Sequence, residues 1–74
     1  MEPDFKDILL FKTNIQTADD KILIAKVMEK HKIEQWTVDQ QDVDCVLRIV
    51  SPILKLDEVI QLVSKNGYQC EELT

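Results

Sequence analysis

The spacing of core-type residues switches between period 2 and period 3.6 along the chain, and the order of those switches limits the folds open to it. Residues 7–15 put Leu9, Phe11, Thr13 and Ile15 at every second position and predict a first strand. Thr17, with Asp20 three residues later, is a capping pattern for a helix, and Asp19 and Asp20 in its first turn suit the helix dipole. Ile24, Val27, Met28 and His31 then share one helical face, until Glu29-Lys30-His31-Lys32 runs the helix out. Trp36 and Val38 alternate as a second strand, and Gln40-Gln41-Asp42 is the turn after it. Val43, Cys45, Leu47 and Ile49 form one face of a third strand, with Asp44, Val46, Arg48 and Val50 on the other. Ser51-Pro52 ends that strand, because proline donates no ladder hydrogen bond. A second helix covers about Leu56–Lys65 with Val59, Ile60 and Val63 inward, and Asn66-Gly67 supplies its left-handed stop. Tyr68-Gln69-Cys70-Glu71 forms a last short strand.

Strand, helix, strand, strand, helix, strand is the βαββαβ order of an α+β, ferredoxin-like sandwich, with two helices on one face of a four-stranded antiparallel sheet. The other sheet face is left open to water, which fits outward Asp44 and Arg48. Val46 and Val50 share it, so a partner can pack there. No repeat, linker or low-complexity stretch interrupts the order, and residues 1–74 read as one domain with its core at about 7–73.

Composition narrows the functions. The longest apolar runs are four residues, 8–11 and 22–25, where a spanning helix needs about 20, so no membrane insertion is expected. The acidic start Met-Glu-Pro-Asp-Phe-Lys-Asp lacks the basic region and apolar core of a leader peptide, and a cytoplasmic location is expected. Fourteen acids against nine bases give a net charge of −5, and Arg48 is the one arginine. Duplex binding rests on neutralising phosphates, so no nucleic-acid partner is expected. Cys45 and Cys70 lie 25 residues apart, match no metal or redox spacing, and read as two buried thiols.

The stretch Phe11-Lys12-Thr13-Asn14-Ile15-Gln16-Thr17-Ala18-Asp19-Asp20 looks like a metal-binding loop without its ligands. Together with Ile24 and Met28 on the first helix, Trp36-Thr37-Val38-Asp39 on the second strand and Asn66-Gly67-Tyr68 near the end, it resembles heavy-metal-associated (HMA) domains. These are the fold of copper chaperones and of the N-terminal modules of metal-exporting P-type ATPases. The resemblance covers about residues 7–73. In it Ile15 stands at the Met of the family's Met-x-Cys-x-x-Cys loop, and Thr17 and Asp20 stand at its two cysteines. The family would bind Cu(I) or another soft metal through those thiolates, and here the ligands are absent, so no cofactor is expected. Thr17 and Asp20, with Asp19 beside them, offer only hard oxygens, suited if anything to Mg, Ca or Mn. The structural alternative is that Thr17 and Asp20 cap the first helix.

These readings imply a small, non-catalytic interaction or regulatory module that has lost the thiolate metal site, either a monomer or a weak homo-oligomer. Its expected docking surface is Gln16, Thr17, Ala18, Asp19 and Asp20. The resemblance points to a protein partner such as a metal-transport ATPase or a cysteine-bearing HMA protein. The alternative is a metal-ion binder using other ligands, either the oxygens of the loop or an intermolecular site built from Cys45 or Cys70. An enzyme is not expected. Acylphosphatases share the fold class, but the chain has no glycine-rich loop, Arg48 is far in sequence from Asn14 and Asn66, and a lone His31 has no triad partner. His31 reads as a surface or helix-end residue, and Trp36 as core packing. Amino-acid-sensing regulatory domains also share the fold class, without the glycine-bearing turns that would mark them.

Overall fold

The computed structural model describes residues 7–73, and the reading of the first six residues as lacking a leader lies outside them. Strand β1 is Ile8–Thr13, helix α1 Ala18–Lys30, β2 Trp36–Asp39, β3 Val46–Val50, α2 Leu56–Lys65 and β4 Cys70–Glu72. The strands form one antiparallel sheet in the order β2-β3-β1-β4, so the molecule is an α+β ferredoxin-like sandwich. Central β1 pairs Ile8 with Val50 and Phe11 with Leu47 on one side, and Thr13 with Cys70 on the other.

Alternation along the strands sends Phe11, Leu47, Ile49 and Val38 to the helix side, where they meet Ile24 and Met28 of α1 and Val59 and Val63 of α2. Phe11, Ile24, Met28, Leu47, Ile49, Val59 and Val63 are wholly buried, as is Ile15, which lies beyond the end of β1. Leu9, Trp36 and Ile60 pack against this core while keeping some exposure. On the open face of the sheet Arg48 is exposed, and Val46 and Val50 are half-buried beside it. No helix among the described residues is long and apolar enough to cross a membrane.

Both helices stop in the same way. After α1, Lys32 takes a left-handed φ of 59°, its N–H donates to the Glu29 carbonyl, and the Ile33 N–H donates to Met28. After α2, Gly67 has φ 92°, its N–H reaches the Ser64 carbonyl, and the Tyr68 N–H reaches Val63. Each pattern satisfies two carbonyls that the helix leaves open, and the first also seats Ile33 in the core over Met28. Glycine takes the left-handed turn without strain, which is why Asn66-Gly67 was readable as a stop and Lys32 was not. His31 is the exposed residue that closes α1.

The third strand departs from its expected bounds. It begins at Val46, not Val43, and Val43 is 92% exposed rather than inward. The reason lies in the turn. The Asp42 carboxylate accepts the Asp44 N–H at 2.8 Å, the Asp42 carbonyl accepts the Cys45 N–H, and Cys45 takes a left-handed φ of 43°. An aspartate that bonds the backbone two residues on makes its own turn, and here it lengthens the connection by three residues at the cost of strand. The last strand is likewise displaced, to Cys70–Glu72.

Candidate functional site

The β1–α1 loop, the β2–β3 turn and the α2–β4 connection meet at one end of the sheet. They are tied there by side chains. Asn14 Oδ1 accepts the Gln69 N–H at 2.8 Å, joining the loop to the approach to β4. The Gln40 carboxamide donates to the carbonyls of Thr17 at 2.7 Å and Ile15 at 3.5 Å. The Thr13 hydroxyl donates to the Cys45 carbonyl at 2.6 Å, and the Thr13 N–H donates to the Asp44 carbonyl. Ile15, wholly buried, pins the middle of the loop to the core.

Within this frame Thr17 and Asp20 form a reciprocal helix cap. The Thr17 hydroxyl accepts the Asp20 N–H at 3.0 Å, and Asp20 Oδ2 accepts the N–H of Thr17 at 3.0 Å and of Gln16 at 3.2 Å. The other carboxylate oxygen, Oδ1, accepts the Tyr68 hydroxyl at 2.9 Å. Both oxygens of Asp20 are therefore engaged, Oδ2 by the backbone N–H groups of Gln16 and Thr17 at the helix start and Oδ1 by the Tyr68 hydroxyl. The Thr17 N–H and the Tyr68 hydroxyl hold the Asp20 carboxyl below its ordinary value against the opposing effect of burial, with the Thr17 hydroxyl and the Gln16 N–H adding less. The same bond to Asp20 pushes the Tyr68 phenol upward, helped by burial and by the Asp20 charge.

This arrangement has a pH signature. A carboxylate favoured in the folded state adds stability that is complete above its unfolded value near 3.8 and is lost as pH falls through its lower folded value. Asp20→Asn is therefore expected to melt lower than wild type at neutral pH and to converge with it in acid. Thermal melts by circular dichroism from pH 7 down to about 2 check this, and parallel curves at all pH values would refute it.

Of the five residues expected to form a surface, Gln16, Thr17, Ala18 and Asp19 are exposed and Asp20 is half-buried. The structure brings them together as one end of α1. Of their side-chain oxygens those of Thr17 and Asp20 are already used in the cap, those of Gln16 and Asp19 are not, and none of them suits a soft metal. Among the described residues there is no group of three or more His, Cys, Asp or Glu side chains placed to hold a metal ion. Cys45 and Cys70 do not join the loop. They flank Thr13 on either side of β1, two strand spacings or about 10 Å apart, beyond the Cα separation a disulfide spans. Cys45 is buried, and burial followed by the Glu71 charge pushes the half-buried Cys70 thiol up to about 11. A thiol held there is protonated at neutral pH and is a poor nucleophile and ligand.

Three residues that fix the loop carried no functional reading in the sequence: Asn14, Gln40 and Tyr68. Only Tyr68 had a usable mark, its place after the Asn66-Gly67 stop. No protein-family model matches the chain, and no curated protein and no solved structure matches it either.

Proposed function

We propose that this chain is a non-catalytic interaction or regulatory module on an HMA-like scaffold, cytoplasmic, in which the former metal loop is a docking surface. The observation that carries this reading is the fate of the two positions where the family places thiolates. Thr17 and Asp20 are bonded to each other's backbone, and Asp20 is bonded again to Tyr68, so the loop is rigid without a metal. A preordered loop with exposed Gln16, Thr17, Ala18 and Asp19 loses little conformational entropy when a partner settles on it. The resemblance supports a protein from metal transport as that partner, either a metal-exporting ATPase or a cysteine-bearing HMA protein.

The test is a Cu(I) and Zn(II) titration of the reduced protein against a competing chromophoric chelator. The expected result is that the protein takes neither ion from the chelator. Tight one-to-one Cu(I) binding would overturn the proposal in favour of a metal binder using Cys45, Cys70 or Met28.

A further inference from the structure

The helix layer carries a second surface, remote in sequence from the capped loop. Two adjoining hollows of about 350 Å³ each lie along the seam between α1 and α2 and share His31, Leu62 and Lys65. Val27, Ile33, Leu54 and Leu62 supply apolar surface to this groove. Lys30, Lys65 and His31 also line it, all exposed, with Glu58 the one carboxylate among its lining residues. No ion pair among the described residues uses Lys30, Lys65 or His31; the pairs found there are those of Lys12 with Asp44 and Glu71.

That sign of charge runs against the molecule. The chain is −5 overall, yet this groove gathers two lysines and its only histidine around an apolar floor. The lysines' places in the last turns of α1 and α2 suit the helix dipoles, but the dipoles do not require both to border the same hollow. We propose that the α1–α2 groove docks an acidic peptide segment of a partner protein, with an apolar side chain on Val27, Ile33, Leu54 and Leu62 and carboxylates meeting Lys30 and Lys65. Two open hollows that share lining residues suit a chain segment rather than an enclosed small molecule. Charge complementarity selects an acidic one. The inference stands whether or not the capped loop is itself a docking surface.

The experiment is an amide NMR titration of the full chain with the acidic probe acetyl-Glu-Glu-Leu-Glu-Leu-Glu-amide, with its lysine counterpart as control. Saturable shifts are expected at Val27, Lys30, His31, Leu62 and Lys65, weakening as salt is raised. Lys30→Glu combined with Lys65→Glu should weaken the probe by about tenfold or more, as loss of close charge pairs does. Both side chains are exposed, so the fold is expected to survive, and the spectrum itself reports whether it has. Absence of saturable shifts, an equal response to the lysine probe, or unchanged affinity in the double variant would overturn the proposal. Concentration-dependent shifts at the same residues without any probe would assign the groove to a second copy and also overturn it.

Discussion

Replacing Phe11 with alanine is expected to cost about 3–5 kcal/mol, a large share of what holds a domain of this size together. A chain of 74 residues has a stability of roughly 4–11 kcal/mol by the usual per-residue range. Phe11 is wholly buried on the central strand, pairing with Leu47 on one side and Glu72 on the other, and it belongs to the same core as residues of both helices. Truncating it removes the transfer free energy of the ring and leaves a cavity under two helices that cannot both move in to fill it. Small domains bury a modest fraction of their surface, so no other part of the core compensates. Urea denaturation followed by circular dichroism measures the effect, with Val43→Ala as the control. Val43 is 92% exposed, and its truncation should stay within about 0.5 kcal/mol. A Phe11→Ala loss as small as the control's would mean that the sheet does not pack on the helices through Phe11.

The order of elements was readable because each segment's period, caps and stops agreed. Thr17 and Asp20 announced the start of α1, and Asn66-Gly67 announced the end of α2. What escaped was set by local bonds that apolar spacing does not report. Val43, Cys45, Leu47 and Ile49 form a continuous alternating run, and period alone extends β3 through all four. The Asp42 carboxylate overrides it by capturing the Asp44 N–H and turning Val43 outward. Lys32 escaped because a lysine in left-handed backbone has no mark of its own; the demand that Ile33 reach Met28 puts it there. The cap was legible, its reinforcement was not. Thr17 and Asp20 are three residues apart, a helical distance, whereas Tyr68 and Gln40 reach the loop across 48 and 23 residues. Such pairings exist only once the sheet has brought three connections to one end.

That same geometry predicts what the loop would do with thiolates introduced at Thr17 and Asp20. On the HMA-like reading, Thr17→Cys combined with Asp20→Cys is expected to raise Cu(I) affinity above that of wild type. The two positions stand at the N-cap and third residue of α1, and side chains three apart on a helix lie about 5–6 Å from Cβ to Cβ, near enough for two sulfurs to share one soft ion. The helix N-terminus favours the thiolate over the thiol, so the ligands are ready near neutral pH. The substitution also removes both sides of the capping box and the Asp20–Tyr68 bond, so the metal-free variant should be less stable than wild type. Cu(I) then restores stability by binding only the folded form, and the melting temperature should rise with metal in the variant alone. Chelator competition and thermal melts with and without Cu(I) read the two effects, and Thr17→Ala with Asp20→Ala controls for loss of the cap. A variant that folds but gains no Cu(I) affinity would show that the loop lacks the geometry of a thiolate site, and would sink the HMA reading. A gain in affinity without stabilisation would place the metal on the unfolded chain and leave the loop untouched by it.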